Sequence, residues 1–418
     1  MSIKDLFRRI RWQINAIRHR DPLSPRLYYT LFGSWRRRPW EPNRVPRRVV
    51  VLRSDEIGDT VTTTTLLSAM RAQWPKATVH LVVKPGPATI FHALGTVDRV
   101  VPWTPITEGS ALKRQVLTAR QSIRRFRLRG YDLAILPRWD FDDTPLRYLA
   151  VATRARSIIG FAPVPTREPD WLGDQSRLLT DVIERGAQPL LTVQQLERVA
   201  GRIGVTWPEK FVPPAGQGLF DAADLARTRT LAPVAGDARV TVGVGIGARD
   251  AKRQWPVDSI VTALENLSRS HAIAVRILGG AVDQERSVDL CTKLRERELT
   301  AVDLSGRLSL SESAAAISEC DIFLGNDSGL QHIASSLDVP TVVTTCHPAS
   351  GSPWSDNAPE RFGPWATRSA VLQPAVPAGD CGDECEKNYA HCILAVRPDE
   401  VSDALVAELG QIDWSRNG

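Results

Sequence analysis

Two apolar spacings alternate along most of this chain. Short runs rich in Val, Ile and Leu at residues 49–52, 78–83 and 131–136 read as buried strands, and the stretches 60–74 and 111–129 repeat their apolar residues at helical spacing. The alternation resumes later, with strands predicted over 240–246, 273–278, 321–325 and 341–344, and helices over 257–269, 284–297 and 330–337. Strands that are apolar on both faces and separated by helices belong to parallel sheets covered on each side. Two doubly wound α/β halves are therefore expected. Between them, Pro208, Pro213, Pro214, Gly216, Gly218, Pro233 and Gly236 give residues 205–236 the composition of a connection.

The start of the chain follows a different pattern. Ile3, Leu6, Phe7, Ile10, Ile14 and Ile17 share one side of a predicted helix, and Lys4, Arg8, Arg11 and Arg18 occupy the other. Tyr28, Tyr29, Phe32, Trp35 and Trp40 follow, interleaved with Arg36, Arg37 and Arg38. Basic amphipathic helices and arginine mixed with aromatics suit the surface of an anionic membrane. The alternative is a helix packed on its own domain with a solvated basic face. Nucleic acid is disfavoured, because no reading motif accompanies the charge. Charge counting isolates the segment. The whole chain carries 53 Lys and Arg against 47 Asp and Glu, a net +6, but its first 48 residues hold thirteen basic and three acidic ones, which leaves the remainder slightly acidic. The expected layout is a basic extension over 1–46, a first domain over 47–204, a linker over 205–236 and a second domain over 237–418.

At 418 residues, 43% hydrophobic and 24% charged, the chain is neither a lone small module nor disordered. It has no run of eighteen apolar residues, so no membrane-spanning helix is expected. Its start lacks the apolar centre and cleavage site of a secretory signal, so a cytoplasmic protein is expected. The six cysteines should then be reduced, with Cys291 and Cys320 acting as small buried hydrophobes.

Three turns carry candidate chemistry. The first strand runs into Arg53-Ser-Asp-Glu-Ile-Gly-Asp59, then Thr60 and the hydroxyl run 62–65 at a helix start, where open α/β sheets collect ligands. Gly58 permits close approach and Asp59 offers a carboxylate; an ordinary N-cap is the competing reading. In the second half, Gly243-Val-Gly-Ile-Gly247 precedes Arg249, Lys252, Arg253 and Trp255-Pro256, a grouping of amides and cations suited to phosphate oxygens. It lacks the Gly-x-Gly-x-x-Gly spacing of dinucleotide enzymes. Finally, Asn326-Asp-Ser-Gly-Leu-Gln-His332 joins a strand to a helix whose first amides could hold a diphosphate. Ser328 and His332 do not lie in a hydrolase elbow.

Taken in order, Ile57-Gly-Asp59, Arg253-Gln-Trp-Pro256, Asn326-Asp-Ser-Gly-Leu-Gln-His332 and the closing Arg397-Pro-Asp-Glu-Val401 resemble glycosyltransferase family 9, over residues 47–410. That family contains the ADP-heptose:lipopolysaccharide heptosyltransferases. The resemblance implies a GT-B fold, two Rossmann-like domains facing a cleft, with the C-terminal helix commonly crossing back to the first domain. It implies an inverting glycosyltransferase with Asp59 as general base, flanked by Gly58 and Thr60 in the acceptor-side loop. Arg253 and the adjacent Lys252 would neutralise donor phosphate, Asp327, Ser328, Gly329, Leu330 and His332 would form the donor turn, and Glu285 would meet the ribose, with Asp283 and Gln284 as nearby substitutes. ADP-heptose is the implied donor and a lipid-linked saccharide of the lipopolysaccharide core the implied acceptor, reached from the inner face of the inner membrane. No cofactor is required, although a divalent cation is not ruled out. Another nucleotide sugar, or a non-catalytic protein that binds sugar nucleotides or glycans, is the competing reading.

The chain departs from the family pattern in its basic start and in Thr345-Cys-His-Pro348, where members often carry a Phe-Gly-Pro turn. The basic helix over 111–129 could receive a phosphorylated lipid, or be a solvated face. Cys381, Cys385, His391 and Cys392 can be drawn around zinc, but related members often have tail cysteines and adjacent His391 and Cys392 do not readily ligate together, so no metal is assigned.

Overall fold

The computed structural model describes residues 25–106, 108–126, 130–139, 145–162, 175–208, 218–232, 240–365, 368–379, 381 and 387–412. The amphipathic pattern at 3–17 lies outside them, as do Cys385 and parts of the expected linker. Six parallel strands form the first sheet: β1 Arg48–Arg53, β2 Thr78–Val83, β3 Arg99–Pro102, β4 Leu133–Leu136, β5 Ser157–Phe161 and β6 Asp181–Ile183, in the order β3-β2-β1-β4-β5-β6. Six more form the second: β7 Val240–Gly245, β8 Ile273–Leu278, β9 Thr300–Asp303, β10 Ile322–Asn326, β11 Thr341–Thr344 and β12 Ser369–Leu372, in the order β12-β11-β10-β7-β8-β9. Both halves thus share one doubly wound order, and each changes winding direction beside its first strand, at β1/β4 and at β7/β10. Ligands gather at such switch points, beyond the carboxyl ends of the strands.

The apolar strand runs are explained by burial on both faces. Along β1, Val49 and Val51 enter one apolar cluster, and Val50 and Leu52 enter another on the opposite side of the sheet. The first of these clusters does not stop at the domain boundary. It continues through Ile90 and Leu94 to Ala314, Ala316, Ile317 and Ile333 of the second half, so the domains share apolar packing as well as a cleft.

Two expected domain limits change, and the closing helix packs otherwise than the resemblance implies. Residues from Pro25 onward are built into the first domain rather than extending from it. Tyr28, Tyr29 and Trp40 are buried, Phe32 packs on the same core, and only Trp35 of these aromatics is exposed. Trp40 donates through Nε1 to the Ile203 carbonyl and through its backbone N–H to Asp181. The supposed linker contains the helix Ala222–Leu231, capped by Asp221 and docked on Leu310–Ser318 of the second domain, where Thr228 donates to the Glu312 carbonyl and Arg229 pairs with Glu319. The closing helix Pro398–Leu409 packs mainly on Val257–Ser268 and on β10, β11 and β12, which makes it a second-domain element. Its buried Val401, Leu405 and Leu409 face the second core, which fixes it there.

Candidate active site

At the end of β1 the chain turns through Ser54, Asp55 and Glu56 into the short helix Ile57–Thr62. Glu56 is its N-cap residue, so Asp59 falls in the first helical turn and is not the cap. Arg53, the last residue of β1, donates to Asp59 Oδ1 at 2.9 Å and pairs through Nε with Asp55 Oδ2 at 2.7 Å. Arg138, beyond the end of β4, reaches Asp55 Oδ1 at 2.6 Å. Two arginines and two carboxylates thus alternate across the first switch point, with Asp59 the more exposed of the acids.

The threonines beside it are not ligands in waiting. Thr60 donates to the Glu56 carbonyl, Thr62 to Gly58, Thr63 to Asp59, Thr64 to Val61 and Thr65 to Thr62. Back-bonding of this kind bends helices. The single predicted helix over 60–74 is accordingly two, Ile57–Thr62 and Thr64–Gln73. Thr60 itself is fully buried.

In the second half, β10 ends at Asn326, and Asp327 and Ser328 lead into the helix Gly329–Ser336, whose N-cap makes no side-chain bond to the first amides. Arg253 lies over this turn, bonding both the carbonyl and the carboxylate of Asp327. Asn326 ties the same loop in place, accepting from the Trp255 amide at 2.9 Å and donating to the Ile246 carbonyl at 3.1 Å. Burial pushes the Asp327 carboxyl above its ordinary range, with Arg253 pulling the other way. A helix start whose first amides take no bond from the Ser328 side chain, a fixed cation and a buried carboxylate that holds the cation are thereby assembled at the second switch point, a grouping suited to an anion.

The two turns meet. A methyl group on Gly58 would stand 2.2 Å from Cδ2 of His332, and one on Gly329 would stand 2.9 Å from Cβ of Ile57. Only glycines allow this approach. His332 is buried, and burial, with the Arg253 charge adding to it, drives its pKa down to about 4. The ring is therefore neutral at neutral pH. Gln331 donates through Nε2 to the Phe362 carbonyl at 3.1 Å and stands 2.9 Å from His332 Nε2, which assigns Nε2 as the acceptor and leaves the proton on a buried Nδ1 that has no partner among the described residues. Across the cleft mouth, Glu56 bridges Lys84 of the first domain and Arg249 of the second, each at 2.7 Å.

The profile of glycosyltransferase family 9 (heptosyltransferase) matches residues 216–382, across the second switch point. Lipooligosaccharide heptosyltransferase 2 of Haemophilus ducreyi is 23% identical over 378 residues, covering 87% of this chain and 99% of its own. Lipopolysaccharide heptosyltransferase 2 of Salmonella typhimurium is 24% identical over 314 residues, with 71% and 82% covered. The chain is thus similar to glycosyltransferase family 9 across its second half, and to the heptosyltransferases named above over most of its length. Solved structures agree on the fold: a glycosyl transferase family 9 protein of Veillonella parvula superposes with a TM-score of 0.66 at 17% identity, covering 88% of this chain and 98% of that one. ADP-heptose lps heptosyltransferase II of E. coli superposes at 0.62, also at 17% identity, covering 87% and 99%. The GT-B architecture of two facing Rossmann-like domains is thereby shown.

Within this glycosyltransferase, the structure sorts the residues singled out in the sequence. Asp59, Gly58, Arg253, Asp327, Ser328, Gly329, Leu330 and His332 converge on the interdomain contact, with Lys252 half-buried beside Arg253. Glu285 stands apart, exposed in the first turn of Gln284–Glu296. Its neighbour Asp283 is committed elsewhere, accepting from the Gly280 amide at 2.8 Å and lying against Gly247. Gly243 and Gly245 are not phosphate amides. They lie inside β7, where side chains would collide with Phe323. The Phe-Gly-Pro turn sought after Thr341 is present further on, at Phe362-Gly363-Pro364, and lines a small pocket with Asp327 and Thr345. Arg53, Asp55 and Arg138 had no spacing to announce them. They are recognisable only once β1 and β4 are neighbours.

Proposed function

We propose that this glycosyltransferase moves heptose from ADP-heptose to the core of a lipid-linked saccharide of the lipopolysaccharide type, with inversion at the anomeric carbon. The observation that carries the reading is the seating of the Asp59 loop on the donor turn, Gly58 against His332. The names of the heptosyltransferase relatives supply the sugar and the acceptor class. The Asp59 carboxylate takes the proton of the acceptor hydroxyl as its oxygen bonds to the anomeric carbon, and the bond from that carbon to the diphosphate oxygen breaks. ADP leaves as an anion held by Arg253, Lys252 and the amides that open Gly329–Ser336, so it needs charge stabilisation and no proton donor. Arg53 orients the base. Asp59→Asn should reduce ADP release from ADP-heptose and a defined core acceptor by at least a hundredfold, with ADP affinity unchanged. Turnover near that of the wild type would sink the assignment. A thermal shift with UDP or GDP and none with ADP would move the reading to another nucleotide sugar, and tight ADP-heptose binding without transfer to any core acceptor would favour a non-catalytic binder.

The acceptor's lipid gives the first domain a reason to rest on an anionic membrane, and its surface supports this. No described helix is long and apolar enough to cross a bilayer. The helix Ala111–Phe126 buries Gln115, Thr118 and Ser122, and turns Leu112, Val116 and Ile123 outward beside Arg120 and Arg124. Tyr28 of the helix Pro25–Phe32 donates to its Gln115 carbonyl, and that neighbouring helix exposes Leu27 and Leu31, with Trp35 just beyond its end. A recess of about 330 Å³ next to Trp35 is lined by Arg36, Arg48, Arg154 and Arg156, with Asp132 as its acid. Apolar side chains among arginines suit interfacial binding. Replacing Leu31, Trp35, Val116 and Ile123 with Ser should weaken sedimentation with phosphatidylglycerol vesicles at least tenfold while leaving thermal stability unchanged. Unchanged sedimentation would refute the surface.

A further inference from the structure

The segment between β12 and the closing helix brings together three soft ligands. The ligand atoms of Cys381, His391 and Cys392 all lie within 4.8 Å of one another, and His391 Nε2 stands 3.2 Å from Cys381 Sγ. Tetrahedral zinc, with bonds of about 2.3 Å to sulfur and about 2.0–2.1 Å to nitrogen, sets neighbouring sulfur and nitrogen ligands about 3.5 Å apart. The adjacency of His391 and Cys392 is not the obstacle it looked from the sequence. His391 is the N-cap of the turn Cys392–Ala395, with φ −148° and ψ −68°, and the change of backbone direction there lets consecutive side chains converge.

The surroundings are prepared as well. His391 Nδ1 lies 3.0 Å from the Tyr389 carbonyl, which can only accept, so Nδ1 carries the proton and the Nε2 lone pair faces Cys381. Metal-bound histidines are fixed in the same manner. The Ala378 amide points at Cys392 Sγ at 3.3 Å, a donor placed to support a thiolate. The Tyr389 ring packs edge-on to the imidazole at 5.6 Å.

We propose that Cys381, His391 and Cys392 bind a transition-metal ion, zinc by the character of the donors, and that this ion braces the donor loop. Two sulfurs and an imidazole select a soft or borderline ion over magnesium or calcium. Each thiol gives up its proton to solvent as the ion binds. The brace is short. The turn Cys392–Ala395 packs on Ala251–Arg253, and the Val396 carbonyl accepts from Trp255 Nε1 at 3.1 Å, two residues beyond Arg253. Losing the ion would release the turn that backs the donor cation.

Elemental analysis of the full chain, purified without chelator, should find about one zinc per chain. Cys381→Ser and Cys392→Ser should each lower that at least tenfold, and Cys291→Ser, buried elsewhere, should not. To separate coordination from folding, chelator-stripped wild type reloaded with cobalt should show thiolate-to-cobalt absorption and tetrahedral bands. Metal below a tenth of an equivalent with no cobalt uptake, metal retained by both serine variants, or a Cys381–Cys392 disulfide in its place would each overturn the site. The brace rests on ADP as the donor nucleotide, whereas metal content does not. Stripped protein should bind ADP about tenfold more weakly and recover with zinc, and unchanged ADP affinity after full metal loss would overturn the brace alone.

Discussion

Gly58→Ala tests how the two halves meet. The added methyl would lie 2.2 Å from His332 Cδ2 and 2.9 Å from its Cγ and Nε2, where unbonded carbons rest about 3.5–4.0 Å apart. Gly58 is not in the left-handed region, so the backbone accepts alanine, and within a helix the exchange alone is worth about 0.5–1 kcal/mol in favour of the variant. The imidazole cannot swing away cheaply. It is buried, and Gln331, itself held by the Phe362 carbonyl, fixes its Nε2. Relief therefore requires the helices Ile57–Thr62 and Gly329–Ser336 to separate by about 1 Å. Overpacking on this scale costs about 1–3 kcal/mol, which leaves a net penalty of about 1–2 kcal/mol on the arrangement that joins base to donor turn. If that arrangement is the reactive one, kcat should fall about 5- to 30-fold.

The assay is the initial rate of ADP release with saturating donor and acceptor. Gly86→Ala, whose methyl would meet nothing within 4 Å, serves as the control and should keep its rate. Because a clash needs both partners, His332→Ala should abolish the further cost of Gly58→Ala, giving a coupling of about 1–2 kcal/mol in the double-mutant cycle. A wild-type kcat in Gly58→Ala, or an equal loss with and without the His332 ring, would refute the argument.

The remaining expectations concern charge. Arg53→Lys keeps a cation, but an ammonium cannot hold Asp55 and Asp59 through a planar fork; kcat should fall about tenfold or more with ADP affinity within twofold, and a matching loss of ADP affinity would place Arg53 on the donor side. Asp327→Asn frees the Arg253 guanidinium, so ADP affinity should fall about tenfold, and calorimetry showing none would remove Asp327 from donor binding. Because burial lowers the folded-state pKa of His332 from 6.5 to about 4, the unfolded chain takes up this proton first as pH falls. Its contribution is whole above pH 6.5 and is lost towards pH 4, at about 2 kcal/mol by pH 5. Urea unfolding should show this slope in the wild type and a shallower one in His332→Gln, and identical slopes would contradict a neutral buried ring.

Strands buried on both faces were the legible part of the fold. The Val and Leu runs of β1, β2, β7, β8, β10 and β11 need no partner to be recognised. Short β6 and β9, and β12 with every residue only half-buried, carry no such run and take their identity from the neighbour they pair with. The turn proposed to hold the donor was readable as a candidate because its chemistry is contiguous, from Asn326 to His332. The acceptor side was only half readable. Asp59 lies in a local pattern, but its orienting arginine is six residues back on a strand, and Asp55's second partner, Arg138, follows a different strand. Glycine and threonine misled for one reason: both residue types serve packing and ligands alike. Gly243 and Gly245 make room for Phe323, and the hydroxyls of 60–65 satisfy their own helices. Aromatics near the start misled in the opposite sense. Tyr28, Tyr29 and Trp40 fill the first core, and the surface proposed to meet a membrane is made of leucine, valine, isoleucine and one tryptophan.

The two switch points present the same pair, an aspartate held by an arginine, and use it differently. At the second, Asp327 is buried and holds Arg253 through both its carboxylate and its carbonyl, so that the cation lies against the opening turn of a helix. Its carboxylate positions a charge, and its burial withholds it from an incoming hydroxyl. At the first, Arg53 lies inside, only 3% exposed, and Asp59 lies outside, with 23% of its side chain reachable. Here the cation is the buried positioning partner and the carboxylate the group presented to the cleft. A base must reach the proton it removes, and a leaving diphosphate must find its positive charges already in place. In the proposed mechanism, reversing which partner is buried lets one doubly wound half supply the base and the other the anion site, and the glycines at 58 and 329 let the two lie in contact.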